Sequence, residues 1–411
     1  MIDAMPEWSD VGGRIAWARA WRRSLARRHA DLTRAVSEEI GKSVFECFVS
    51  EVVPLLRAIR EAERTVSALM RERRIAGGGL FSLGVTVRER RVPLGRVAII
   101  ATWNYPVGLL GVELAHALIA GNRVVVKPSE RSPRSQRLLL EMARDAGGPP
   151  GPLPDAILRW TEATREAGET LLASERFDHV VFTGSTDVGR RIAGTLAPTL
   201  TPSTLELSGR DSAIVLDDAD PTLAAQSVWS ALRMNAGQTC MGPRRAIVCA
   251  GVYDAFLAAL EPLARQTPPL MLAHDSEAAR AWADVPAAIS AGARPLGAEA
   301  QPPEGRSMRA LALADCPPDA PLVQGRHFGP VLAIVRARDE AAALALHASI
   351  DQRLATSVFT RDAARARRRI APALGSVIVT INDCLIPTGH PRVGLGGVGP
   401  SGWGLSRGRE G

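Results

Sequence analysis

The chain has 411 residues, 46% hydrophobic and 23% charged, a balance that excludes a disordered chain and supplies two or three lobes with separate cores. Its formal charge of +7 comes from arginines scattered along the sequence, and with 4% aromatic residues there is no interleaved basic and aromatic patch of the nucleic-acid-binding kind. The five cysteines at 47, 240, 249, 316 and 384 form no CxxC pair and no zinc-ligand spacing, which suits a reducing cytoplasm and no metal centre.

The first ten residues, MIDAMPEWSD, carry early acids and no apolar core, so a signal peptide is not expected. Residues 14–40 read as a helix, with Ile15, Ala18, Leu25, Leu32 and Val36 near helical spacing and solvated arginines opposite. A second helical stretch over 43–75 turns Val44, Phe48, Val52, Leu55 and Ile59 inward and stops at Gly77-Gly78-Gly79. Residues 85–92 alternate, as a strand or arm would.

Strand-like and helix-like segments then alternate: 97–101, helix 107–120, 123–126, helix 132–146, 156–158, 179–182 and helix 186–194. That order implies a parallel sheet covered by helices, and hence a nucleotide-binding lobe. The most apolar region, 95–126, is interrupted by Asn104, Glu113, His116 and Arg123, so no membrane span is expected. From Ser208 a second α/β lobe begins, with strands at 214–216, 246–249, 331–335 and 377–381 and a helix over 221–235. Residues 265–320, rich in Pro, Ala and Gly, read as connecting and peripheral structure.

Only Lys42 and Lys127 are lysine among 50 basic residues, and asparagine occurs only at 104, 122, 235 and 382. A chain this biased is expected to keep such residues where a substitute fails.

Cys240, in Gly237-Gln238-Thr239-Cys240, sits among small polar residues after a helix, a setting open to a nucleophilic thiolate. A lone cysteine is more often a buried small hydrophobe, and Cys47, Cys249 and Cys316 fit that description. Glu206 lies in Thr204-Leu205-Glu206-Leu207. Phe182 to Gly189 (FTGSTDVG) ends a strand and opens a helix, where Gly184, Ser185 and free N–H groups suit a pyrophosphate; an ordinary strand–helix turn is the plainer alternative. Lys127 and Glu130 end another strand and can bracket a ribose, Glu130 favouring NAD because it would repel a 2′-phosphate; a surface ion pair is the plainer alternative. Asn104, just after a strand, can donate to an oxyanion or satisfy a turn. Residues 394–399 match GxGxxG, but twelve residues cannot complete a βαβ unit after them.

Taken in order, ATWNYP, GNRVVVKPSE, FTGSTDVG, TLELSG, NAGQTC, FGPVL, SVFT, IND and GGVGPSGWG resemble the aldehyde dehydrogenase superfamily from about residue 10 to the C-terminus. The 34-residue separation of Glu206 and Cys240 fits the same pattern. The resemblance implies an α/β fold with a Rossmann-type cofactor domain over 1–207 carrying a small β arm near 80–92. A catalytic domain over 208–385 and a C-terminal return segment over 386–411 complete it. It implies NAD(P)-dependent oxidation of an aldehyde to a carboxylic acid, with Cys240 as nucleophile, Glu206 as general base for thioester hydrolysis, and Asn104 with the Cys240 N–H holding the oxyanion. Trp103, Lys127, Ser129, Glu130, Gly184, Ser185 and Phe328 then correspond to cofactor contacts, with NAD preferred over NADP, and a homodimer is in keeping with the resemblance.

Several positions depart from the pattern. Arg326 stands two residues before Phe328, where the family usually has a glutamate that holds the nicotinamide ribose, and an arginine cannot accept from hydroxyls. The usual PFGG is Gly394-Leu395-Gly396-Gly397, TLELGGK reads TLELSGR, and the chain stops soon after GWG. These departures motivate a second reading, a dinucleotide-binding pseudoenzyme without turnover. Obligate CoA acylation is disfavoured by the presence of Glu206.

Overall fold

The computed structural model describes residues 8, 10–146, 152–325, 327–385 and 389–408. Helix α1 (Val11–Arg27) starts at Asp10, whose carboxylate accepts from the Gly13 N–H. The single helix expected over 14–40 is two, because Arg28 leaves helical geometry at φ −105 and ψ 20 before α2 (His29–Ile40). Gly41, at φ 77, ends α2 in the left-handed conformation that glycine adopts without strain.

The helix expected over 43–75 is also divided. A short turn, Val44–Cys47, leads into a π-helical turn, Phe48–Val52, and then α3 (Val53–Leu69). Pro54 has no N–H to donate back along the helix, and the Val53 N–H reaches the Phe48 carbonyl five residues earlier. After α3 comes a strand where helix was expected: β1 (Arg73–Ile75) pairs antiparallel with β2 (Val87–Glu89), and both are exposed throughout. The arm therefore begins earlier than 80, and its first strand is masked in the sequence by arginines.

Next come β3 (Arg96–Ile100), α4 (Gly108–Ile119), β4 (Arg123–Lys127), α5 (Pro133–Asp145), β5 (Leu158–Trp160), α6 (Arg165–Ser174), β6 (His179–Gly184), α7 (Thr186–Leu196) and β7 (Ser203–Leu207). The strand expected at 156–158 is thus shifted by two residues, and β7 had no assigned counterpart. The strands β7-β6-β3-β4-β5 lie parallel in that spatial order. The chain runs outward from β3 through β4 to β5, then returns to lay β6 on the other side of β3. That reversal opens a crevice at the carboxyl ends of β3 and β6, the place where such sheets bind ligands. Trp17, Trp21, Leu55, Ile59, Leu110 and Leu114 share the core that packs α1, α3 and α4 against this sheet.

The second sheet takes β8 (Ser212–Val215), α8 (Pro221–Arg233), β9 (Arg245–Cys249), α9 (Ala250–Gln266), β10 (Arg294–Pro295), β11 (Leu311–Ala314), β12 (Val331–Ala337), β13 (Ala355–Phe359) and β14 (Ile378–Ile381). Its order is β10-β11-β12-β9-β8-β13-β14, with only β10 antiparallel to its neighbour. The expectation that 265–320 is peripheral fails at β11, which is buried at every position and lies inside the sheet between β10 and β12. Its sequence, LALA, lacks the β-branched and aromatic residues that mark strands. Near the C-terminus β15 (Gly402–Trp403) returns to the first sheet and pairs antiparallel with β7, setting Gly402 opposite Glu206. Among the described residues no helix is long and apolar enough to cross a membrane.

Candidate active site

The loop after α8 carries Cys240 and is built in an unusual conformation. Asn235, Ala236 and Gly237 have φ of 50, 51 and 74 in succession. Left-handed geometry costs a non-glycine residue about 1–2 kcal/mol, so neighbours must hold the loop. The Asn235 N–H donates to the Glu46 carboxylate, and Asn235 Nδ2 donates to the carbonyls of Asn104 at 2.7 Å and Gln238 at 3.0 Å. Gln238 Nε2 returns a bond to the Asn235 carbonyl at 3.0 Å, and its Oε1 accepts from the Ala273 N–H at 3.0 Å. Arg244, fully buried, donates to the carbonyls of Gly237 and Thr239, each at 2.9 Å. A Cβ on Gly237 would come within 2.3 Å of the Gly329 carbonyl carbon, so the Cys240 loop touches the Phe328-Gly329-Pro330 loop through backbone alone.

This scaffold sets the Cys240 thiol 3.6 Å from Glu206 Oε1, in position to donate to the carboxylate. Both residues are buried, and Ser406 Oγ donates to Glu206 Oε2 at 3.4 Å from the returning C-terminal segment. Burial, and then the charges of Glu206 and Asp211, push the Cys240 thiol well above its ordinary range. The resting group is therefore a thiol with a carboxylate against it.

Asn104 follows β3. Thr102 Oγ1 donates to its Oδ1 at 3.0 Å, and its Nδ2 donates to the Gln238 carbonyl at 3.0 Å, leaving the second amide hydrogen for another acceptor. Tyr105 and Thr239 share a hydroxyl–hydroxyl bond of 2.7 Å. The Asn104 and Cys240 loops are thus stitched together by side chains from both.

These groups open onto a cleft of about 1570 Å³ at the crevice between β3 and β6. Cys240, Glu206, Asn104, Trp103, Lys127, Ser129, Glu130, Gly184, Ser185 and Phe328 all line it, so every expected site residue is brought to one space. Lys127 Nζ and Glu130 Oε2 are 2.7 Å apart. Burial opposes ionisation of Glu130, but the bond from Lys127, a backbone bond and the charges of Lys127 and Arg131 together hold the carboxyl below its usual range. Ser185 caps α7, its Oγ accepting from the Val188 N–H at 3.4 Å, and Gly184 lies against the Phe182 ring where a Cβ would collide. Trp103 and Phe328 meet edge to face at 5.8 Å, and the Arg244 guanidinium lies 5.0 Å from the Phe328 ring centroid. The N-terminus of α7, a glycine at the strand end, a lysine and two aromatic walls form a set that fits a dinucleotide. Arg326 lies outside the described residues.

Sequence reasoning missed a second group. Lys42, legible in the sequence only as a rare lysine, is buried against Glu51 and donates to the Asn104 carbonyl. Arg244, Gln238 and Asn235 hold the nucleophile loop. Glu113 on α4 accepts from Thr183 Oγ1 at 2.9 Å, and Thr183 sits opposite Glu206 in the register of β6 and β7. Burial, then the charge of Glu206, raises the Glu113 carboxyl to about 8. Only the scarcity of lysine and asparagine pointed to any of these residues.

The profile of the aldehyde dehydrogenase family matches residues 2–411. A probable coniferyl aldehyde dehydrogenase of Pseudomonas aeruginosa is 30% identical over 413 residues, covering 98% of this chain and 84% of that protein. A geranial dehydrogenase of Castellaniella defragrans is 31% identical, with 98% and 84% covered. Among solved structures, a Mycobacterium tuberculosis aldehyde dehydrogenase complexed with NAD+ superposes with a TM-score of 0.90 at 27% identity, covering 100% of this chain and 85% of that one. An E. coli NADP-dependent enzyme gives 0.89 at 27% identity, with 100% and 84% covered. The chain belongs to the aldehyde dehydrogenase family and is an oxidoreductase that acts on aldehydes.

Proposed function

We propose that the protein oxidises an aldehyde to a carboxylic acid with NAD(P), through a thiohemiacetal and then a thioester on Cys240. The observation that carries this reading is the 3.6 Å approach of Cys240 Sγ and Glu206 Oε1 within a cleft whose walls suit a dinucleotide. The thiol gives up its hydrogen to solvent as sulfur adds to the carbonyl carbon, and the Asn104 amide with the Cys240 N–H holds the oxyanion. Bound nicotinamide supplies the hydride acceptor whose reduction leaves the thioester. Glu206 then takes a proton from water, which attacks the thioester, and that proton passes to the Cys240 sulfur as the acid leaves.

Trp103, Lys127, Ser129, Glu130, Gly184, Ser185 and Phe328 are the proposed cofactor contacts. NAD is the preferred form in this reading, because the Glu130 carboxylate beside Lys127 disfavours a 2′-phosphate. The domains are taken as 1–207 for cofactor, 208–385 for catalysis and 386–411 for the return segment. This division is supported by the membership of β7 and β8 in different sheets.

The test mixes purified protein with NAD or NADP and a panel of aldehydes, and follows absorbance of the reduced cofactor. Reduction that depends on Cys240, absent in Cys240→Ala, with NAD faster than NADP, is the expected result. Silence across the panel with cofactor binding retained would overturn the reading in favour of a protein that binds dinucleotide without turnover.

A further inference from the structure

The N-terminal segment contributes a fully buried ion pair that faces the catalytic loops. Lys42 Nζ is 2.7 Å from Glu51 Oε1, and neither side chain has solvent exposure. The same ammonium donates to the Asn104 carbonyl at 3.3 Å and stands 3.8 Å above the centre of the Tyr105 ring. Its three hydrogens thus have three directions to satisfy: a carboxylate, a carbonyl and an aromatic face. Glu51 completes the arrangement, its Oε2 accepting from the N–H groups of Val107 at 2.8 Å and Gly108 at 3.2 Å, at the start of α4. The π-helical turn over Phe48–Val52 presents Glu51 there, and Gly108 leaves room for it, since a Cβ would lie 3.2 Å from the Glu51 Cα. From the same segment the Glu46 carboxylate accepts from the Asn235 N–H at the base of the Cys240 loop.

Lys42 and Glu51 therefore grip residues 104–108 from outside, while Glu46 grips the facing loop. An arginine cannot replace Lys42 here, because a planar fork does not direct three hydrogens from one compact centre. Its survival as one of two lysines among 50 basic residues follows.

We propose that Lys42 and Glu51 are positioning residues, a buried brace that fixes the Asn104 main chain so that its amide meets the oxyanion formed at Cys240. The inference rests on the reading of Asn104 as the oxyanion donor, but its test needs neither aldehyde nor cofactor.

The experiment compares two reactions of Cys240, each followed by mass spectrometry of the labelled peptide. Acylation by p-nitrophenyl acetate passes through an oxyanion, with nitrophenolate leaving as the acetyl–sulfur bond forms. Alkylation by iodoacetamide displaces iodide with no oxyanion. In Lys42→Met, acylation is expected to fall by about 10- to 100-fold, on the scale of a misplaced catalytic group, while alkylation stays within about threefold. Asn104→Ala is expected to lose a similar factor, and the double variant no more than either alone. Acylation unchanged, acylation and alkylation falling together, or losses that multiply in the double variant would each overturn the brace. Should Lys42→Met not fold, Glu51→Gln, which keeps an acceptor for Val107 and Gly108, carries the same comparison. Selective loss of acylation in a protein whose wild type oxidises no aldehyde would uphold the brace and sink the reading of the reaction.

Discussion

Glu206 Oε1 accepts from the Cys240 thiol across 3.6 Å, and the same carboxylate holds a second bond, from Ser406, on its other oxygen. The base is therefore fixed at both oxygens before any substrate arrives. In Glu206→Gln the negative charge that opposes the thiolate is gone, but so is the group that activates water. Stopped-flow mixing with a reactive aldehyde is expected to show a near-stoichiometric burst of reduced cofactor. Steady turnover should then be about 100- to 10,000-fold slower, the usual range for loss of a general base. A variant with no burst at all would mean that Glu206 is needed first at the thiol, and the assignment to water would fail.

Arg244 holds the left-handed loop before Cys240 through the Gly237 and Thr239 carbonyls and supports the Phe328 ring. Arg244→Met keeps much of the packing volume and leaves two inward carbonyls without their charged donor. Urea unfolding should report a loss of about 3 kcal/mol, from bonds worth about 1.5–3 kcal/mol each when the donor is charged. A loss under about 1 kcal/mol would show that the loop stands without the guanidinium.

Glu113 predicts a pH signature. Its carboxyl is raised to about 8 in the folded chain by burial, then by Glu206, with the Thr183 bond and the Arg407 charge working the other way. Above the ordinary carboxylate range the unfolded chain has released this proton while the folded one keeps it. Its contribution is therefore fully present at low pH and is lost as pH rises toward 8. Glu113→Gln removes this dependence. The stability of the variant relative to wild type should grow between pH 5 and 8, by on the order of 2–4 kcal/mol from the size of the shift. Denaturation midpoints that differ by a constant amount at both pH values would contradict the placement of Glu113 as a neutral acid beside Glu206.

The parts of the fold that were legible are those whose pattern is local. The apolar runs of β3, β4 and β6, set between helical periodicities, announce a parallel sheet. The division at Arg28 has no glycine or proline to mark it, and β11 is spelt with leucine and alanine, which serve a helix equally well. The site divides the same way. Cys240, Glu206 and Asn104 stand in short recognisable stretches, whereas Lys42 meets the Asn104 carbonyl across 62 positions and Asn104 meets Gln238 across 134. Such pairings exist only after folding.

Scarcity carried part of the missing information. Asn235 and Asn382 hold left-handed backbone at φ 50 and 58, where asparagine is better tolerated than most residues. Asn122 accepts from the Gly95 N–H and donates to the Ala117 carbonyl, and Asn382 bonds both ways with the Thr360 backbone. All four asparagines and both lysines of the chain make buried or structural bonds, Lys127 through its pair with Glu130.

The most direct test of the central claim is the intact mass of Glu206→Gln quenched during turnover with an aldehyde and its cofactor, followed by peptide mapping. An adduct equal to the aldehyde less two hydrogens, confined to the peptide that carries Cys240, is the predicted result, since acylation replaces the thiol hydrogen and the aldehyde loses its own. Reduced cofactor formed with no such adduct, or an adduct on Cys47, Cys249, Cys316 or Cys384 instead, would contradict the account.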